Sequence, residues 1–276
     1  MLKLTALMDD IPGSQSQLIS EHGLSYYVQY NGLRFLFDCG QSDGFLHNAR
    51  QLGISLSGLD GVILSHSHYD HARGYLSLTE NRCGSRLLYT GSGFWEPKYA
   101  LKAGNIADLS CGFDKDYLRT HGISHREIQE SCEIAPGVWL ISNFLRVHTF
   151  ETIPERFLLK KEDGYVCDDF RDEICMALEV TGGLAVLAGC SHPGILNMLT
   201  HIQHTLHKPI RAVFGGTHLV EADEGRIQAT ISALQKLGVE ILGLGHCTGN
   251  AACSALANTP ELRTCRLHPG DQMQFD

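Results

Sequence analysis

No apolar run in this 276-residue chain approaches the roughly 20 residues that a membrane-spanning helix needs. No basic stripe is present and the formal net charge is -9, so nucleic acid is a poor default partner. The first ten residues lack a signal-peptide pattern: their short apolar stretch runs into Asp9 and Asp10, and a cytoplasmic location is expected. The ten cysteines are dispersed with no C-x-x-C pair, which argues for reduced thiols rather than a disulfide framework. No G-x-x-x-x-G-K-[ST] loop occurs, which removes the P-loop from consideration. With no linker, low-complexity tract or solenoid-length repeat, one domain over residues 1–276 is expected.

What the chain does have is Leu64-Ser-His-Ser-His-Tyr-Asp-His-Ala-Arg-Gly74. His66, His68, Asp70 and His71 place four metal-capable side chains in a His-x-His-x-Asp-His order. The apolar run Gly61–Leu64 before them reads as a buried strand. Residues two apart on an extended chain share a face, so His66 and His68 can reach one ion. Asp70 and His71 continue into the next turn and can serve a second. Imidazole with carboxylate suits zinc, iron or manganese rather than calcium.

Short strands and helical segments alternate along the chain, which predicts an α/β or α+β fold. Ser25–Tyr30 and Leu33–Asp38 flank Asn31-Gly32, a strong hairpin signal. Asp43–Leu52 reads as a helix closed by Gly53. Residues 83–170 mix Gly, Pro, charge and aromatics and read as an irregular insertion near the site, with Val138–Ile141 a strand inside it. Further on, three apolar strands end in Gly189-Cys-Ser-His192, Gly215-Gly-Thr-His218 and Gly245-His-Cys-Thr-Gly249. Strand-end loops on a rigid sheet are where such folds place their chemistry.

The histidine motif resembles the signature of the metallo-β-lactamase superfamily, and Asp38 at an earlier strand end resembles its first motif. The three later turns are similar to those of a branch of small metal-dependent hydrolases that includes an archaeal enzyme of methanopterin synthesis. The resemblance spans nearly the whole chain. It implies an αββα sandwich with the metal site at the edge of the two sheets. It also implies one metal position held by His66, His68 and His192 and another held by Asp70, His71 and His246. Asp38 would orient the metal loop. Cys190 stands where many members carry a bridging aspartate, as a thiolate ligand or as a packed thiol. His218 is a candidate for a position beside the ligands or against substrate.

Other polar groups are less specific. His201, His204 and His207 step by three residues and drift around a helix whose apolar face is Ile195, Leu199, Ile202 and Leu206, so a solvated flank is expected. Arg119, Arg126, Arg146, Arg156 and Lys160 are candidate anion clamps. Phe94 and Trp95 are expected in the core. The expected activity is metal-dependent hydrolysis of a small phosphorylated or ester-type metabolite, with zinc as one or two ions, iron or manganese as alternatives, and Asp70 orienting the attacking water. The branch resemblance implies a second reading, a synthase joining a dihydropterin diphosphate to an aminobenzene ribose phosphate. A third is a non-hydrolytic iron or redox protein of the kind that works with a flavin domain. The motifs specify neither substrate contacts nor oligomeric state.

Overall fold

A computed structural model describes residues 1–276. The chain opens with β1 (Leu2–Met8), β2 (Ser25–Tyr30), β3 (Leu33–Phe37), α1 (Gly44–Gln51) and β4 (Gly61–Ile63). Short helices α2 (Tyr69–Ala72) and α3 (Gly74–Glu80) lead to β5 (Leu87–Gly91). The middle carries β6 (Lys98–Lys102), β7 (Asn105–Asp108), α4 (Lys115–Thr120), β8 (Ser124–Ile128), β9 (Cys132–Ala135), β10 (Val138–Ile141), β11 (Phe157–Lys161) and β12 (Gly164–Cys167). The last part runs β13 (Cys175–Val180), β14 (Gly183–Leu187), α5 (Ile195–Leu206), β15 (Ile210–Gly215), α6 (Glu224–Lys236), β16 (Ile241–Leu244), α7 (Asn250–Ala257), β17 (Arg263–Arg266) and β18 (Gln272–Phe275).

Two seven-stranded sheets form, in the orders β18-β1-β2-β3-β4-β5-β8 and β17-β16-β15-β14-β13-β10-β9. The β2–β3 hairpin turns at Asn31 and Gly32 with φ of 48° and 88°, the left-handed pair that a two-residue turn requires. From β14 to β17 the strands are parallel, joined by the helical crossovers α5, α6 and α7. Strand alternation sends one set of side chains between the sheets: Leu4, Val28, Phe35 and Phe37 meet Leu140, Met176, Leu187 and Phe214 there. The opposite set packs under helices. Leu36, Val62 and Leu88 lie against Phe45 and Leu46 of α1, and Val186, Val213 and Leu242 lie against Ile195, Leu199 and Ile202 of α5. Each such fully buried apolar side chain contributes about 1.5–3 kcal/mol relative to exposure. The layers are helix, sheet, sheet, helix, as the αββα sandwich requires.

The stretch 83–170 is more ordered than its composition suggests. Strands β5 and β8 extend the first sheet, and β9 and β10 extend the second. Only β6, β7, β11 and β12 stand apart, as a four-stranded sheet in the order β12-β11-β6-β7. Its inner face buries Ala100 and Phe157 with Leu109 and Phe170 and lies against Tyr69 of the metal loop. Mixed composition here reflects a small sheet with one face in solvent, not a lack of structure. Phe94 is buried and Trp95 packs beside it, as core residues.

Candidate metal centre

Strands β4, β14, β15 and β16 all end at one edge of the sandwich. The turns after them carry His66, His192, His218 and His246 to a common point. Backbone conformations here are unusual: Asp38, Ser191, His218 and His246 have φ of 59°, 62°, 49° and 49°. Left-handed non-glycine residues cost energy and cluster where side chains must be aimed. Gly189 is required by space, since a Cβ there would come within 2.1 Å of Ser65 Oγ.

The rings of His66, His68 and His192 lie 4.7, 4.8 and 5.0 Å apart, centre to centre, and their donor nitrogens fall within 4.8 Å of one another. The Nε2 atoms of His66 and His68 are buried with no hydrogen-bond partner. A buried polar atom left bare costs roughly 1–3 kcal/mol, so this arrangement fits an ion that the nitrogens would hold. Burial, reinforced by the neighbouring cationic or imidazole groups, pushes all three histidines well below their usual pKa and keeps them neutral, the form that ligates.

A second group adjoins the first. His71 Nε2 faces His246 Nε2 at 3.0 Å and Cys190 Sγ at 3.1 Å, while Asp70 Oδ2 lies 3.2 Å from His246 Nε2 and 3.7 Å from His71 Nε2. Ligand atoms around a tetrahedral zinc sit roughly 3.3–3.7 Å apart, given bonds of about 2.0–2.3 Å. This group fits an ion as well. Burial works to raise the Asp70 carboxyl, but His71 and His246 outweigh it and hold it well below the ordinary value. Burial works to lower His246, but hydrogen bonds to Asp10 and Asp70 outweigh it and raise the imidazole. Burial pushes the Cys190 thiol well up, whereas the Cys247 thiol is brought down by Cys190 and His246 against the effect of its own burial.

Three of the candidate ligands are oriented from behind by carboxylates. His71 Nδ1 contacts Asp38 Oδ2 at 2.6 Å, and Asp38 also accepts from Ser65 N and Ser65 Oγ. His192 Nδ1 contacts Glu173 Oε2 at 2.8 Å, and the same carboxylate accepts from the backbone N–H groups of Ser191 and His192. His246 Nδ1 contacts Asp10 Oδ1 at 2.8 Å. Carboxylates in this position fix the ring and raise its basicity. Phe170 stacks on His192 at 3.8 Å and 7°. Behind the loop, buried Lys98 Nζ bonds Asp168 at 2.6 Å and Asp172 at 2.8 Å, and Asp172 accepts from Ser67 N between His66 and His68. Asp10, His22, Lys98, Asp168, Asp172 and Glu173 were not singled out by the motifs. The paired acids Asp9-Asp10, Asp168-Asp169 and Asp172-Glu173 were their only sequence trace.

The centre floors an open cavity of about 540 Å³. His218 lines it beside His192, 4.6 Å between ring centres, but joins neither donor group. Burial brings His218 down to about 4. Of the candidate anion clamps only Arg156 reaches the cavity, stacked over Phe157 at 4.0 Å and paired with Glu221. Arg146 bonds the Pro193 and Asp169 carbonyls, Arg119 pairs with Asp116 on the surface, and Lys160 and Arg126 lie elsewhere. His201 is half-buried against Phe144 and His204 and His207 are exposed, all on α5 or its end and away from the donor groups. Glu151, whose segment had no assigned role, caps α5 by accepting from Leu196 N and Asn197 N.

Sandwich and donor cluster together define a metal-site protein of the metallo-β-lactamase type. A family model for the metallo-beta-lactamase superfamily matches residues 20–82. Over 99% of its length the chain is 32% identical to the 7,8-dihydropterin-6-methyl-4-(beta-D-ribofuranosyl)-aminobenzene-5'-phosphate synthase of Methanocaldococcus jannaschii, covering 97% of that protein. A solved structure described as a metal-dependent hydrolase of the beta-lactamase superfamily matches with TM-score 0.85 and 29% identity, covering 100% of both chains. Zn(2+)-bound PqqB from Methylobacterium extorquens shares the fold, with TM-score 0.60 at 12% identity over 99% of this chain and 100% of that one. The chain belongs to the metallo-β-lactamase superfamily, in the branch resembling the archaeal synthase. The fold implies a divalent metal, and no helix is long and apolar enough to cross a membrane.

Proposed function

We propose that this chain is a cytoplasmic metal-dependent hydrolase that uses a metal-activated water on a small phosphorylated or ester-type metabolite. The observation that carries this is the pair of bare, buried Nε2 atoms of His66 and His68 converging with His192, beneath an open cavity that His68 and His192 line. In this reading His66, His68 and His192 hold one ion, and Asp70, His71 and His246 hold a second. Nitrogen and oxygen donors in this number suit zinc, with iron or manganese as competitors. A bound divalent metal supplies a Lewis acid and lowers the pKa of a coordinated water toward neutrality. Asp70 Oδ2, a member of the second group, orients the attacking water. His22, bonded to both Asp10 and Asp70, closes that side of the cavity. Arg156 offers the cavity a guanidinium for an anionic substrate group. The cavity volume fits a small molecule, and with a net charge of -9 neither nucleic acid nor a membrane is a partner in this reading.

The second reading, a synthase, is favoured by one observation: the full-length similarity to the archaeal enzyme. Metal analysis of protein purified without added metal, followed by a phosphoester, lactone and thioester panel on that sample, tests the first. Incubation with a dihydropterin diphosphate and an aminobenzene ribose phosphate tests the second. Metal-dependent hydrolysis lost in His68→Ala supports the hydrolase. A coupled product without hydrolysis of the panel replaces it with the synthase. Iron with a redox-active spectrum and neither activity replaces both.

A further inference from the structure

Two thiols line the cavity beside the second donor group. Cys190, 3% exposed, follows β14, and Cys247 is half-buried in the turn after β16, next to His246. Both line the cavity, and none of the other cysteines does. The Cys247 thiol donates to the Cys190 backbone carbonyl at 3.4 Å. Together with a His246 ring nitrogen, the two sulfurs lie within 4.8 Å of one another. The turn that carries Cys247 has glycine at both ends, Gly245 and Gly249. Cys247 Sγ also sits over Gly216, where a Cβ would approach it to 2.4 Å, so the neighbouring backbone is shaped around the thiol. A disulfide needs the sulfurs at about 2.05 Å, so forming it requires the Cys247 turn to shift towards Cys190.

We infer that Cys190 and Cys247 are a redox modification site: a peroxide that enters the cavity converts them to a disulfide, and the disulfide dismantles the metal position formed by Asp70, His71 and His246. The coupling rests on the metal-centre reading given above; the thiol chemistry does not. The step balances. Cys247, the more accessible thiol, attacks one peroxide oxygen, the O–O bond breaks, and one water leaves with a sulfenic acid on Cys247. The Cys190 thiol then attacks that sulfur, the S–O bond breaks, and a second water leaves. The two thiols have lost two hydrogens and the peroxide has been reduced. Cys190 Sγ is 3.1 Å from His71 Nε2, so drawing it to Cys247 removes a donor from beside that ring. Because Cys247 is bonded in sequence to His246, the same movement displaces the His246 imidazole.

The test uses the full chain, loaded with zinc, treated with hydrogen peroxide and read by non-reducing intact mass, peptide mapping and zinc per chain. The expected result is loss of two hydrogens mapped to a Cys190–Cys247 link, release of one zinc, and recovery of both after dithiothreitol and fresh zinc. Cys247→Ser should block the mass change and the release, with Cys190→Ser as the second variant should the first not fold. Oxygen addition to either thiol without a link overturns the proposal, as does a link formed with all zinc retained. A chain that forms the link but binds no zinc in either state overturns the metal-centre reading and the coupling with it, while leaving the dithiol chemistry in place.

Discussion

Lys98→Met offers a sharp test of how the metal loop is held. Lys98 Nζ lies 2.6 Å from Asp168 and 2.8 Å from Asp172, with all three side chains no more than 2% exposed. Methionine preserves most of the volume and removes the charge, leaving two buried carboxylates without their cation. Breaking a buried pair in this way costs about 3–5 kcal/mol. Asp172 cannot turn away to solvent, because its other oxygen accepts from Ser67 N. Set against a total stability of about 5–15 kcal/mol, this is a large loss. At roughly 2–4 °C per kcal/mol for a chain of this size, Tm should fall by about 6–20 °C, read by circular dichroism with zinc removed. The acid dependence has a definite sign. Asp168 is already raised by burial and by Asp172, with Lys98 opposing both. Without Lys98 its folded pKa rises further above the unfolded value, so the deficit is greatest near neutral pH and shrinks on acidification as the carboxyl takes up a proton. Adding Asp168→Asn and Asp172→Asn should restore much of the lost stability. Since Ser67 lies between His66 and His68, zinc affinity should also weaken, by about 10–100-fold. A Tm within about 2 °C of the parent at neutral pH would refute the reasoning.

Glu173→Gln removes the carboxylate behind His192 and should weaken zinc binding by about 10–100-fold, measured by chelator competition, while the far-ultraviolet spectrum stays unchanged. Glu151→Ala leaves the N–H groups of Leu196 and Asn197 without acceptors and should cost about 1–3 kcal/mol, seen as a lower denaturant midpoint; an unchanged midpoint rejects the capping role. In zinc-free protein, stability should fall as pH drops below about 6.5, because the unfolded chain then protonates His66, His68 and His192 while burial keeps them neutral in the fold. His246 runs the other way: its raised imidazole adds stability that is fully present below about 6.5 and is lost as pH rises through its folded value. Urea midpoints from pH 5 to 9 check both limbs, and a midpoint independent of pH is inconsistent with them.

Local order in the chain was legible wherever one short segment does the work. His66, His68, Asp70 and His71 sit within six residues, so their spacing alone brings them to one strand end, and the apolar runs before His192, His218 and His246 mark three more. The hairpin at Asn31-Gly32 was readable for the same reason: two residues set the turn. The region 83–170 was not, because a strand with one wet face and one buried face alternates too briefly to stand out, and the partners of β6 lie across the chain in β11.

The sequence by itself determined the superfamily, the αββα class and six residues able to hold metal. Only the tertiary structure decided what holds those residues still. Glu173 behind His192, Asp10 behind His246 and Lys98 under the Ser67 backbone are separated from their targets by 19, 236 and 31 residues, and no local pattern encodes contacts set by the stacking of two sheets. The same holds for Cys190 and Cys247, whose pairing depends on β14 and β16 ending at one edge. Chemistry that a strand end can carry alone is written in short motifs; orientation, burial and pKa come from neighbours that only folding supplies.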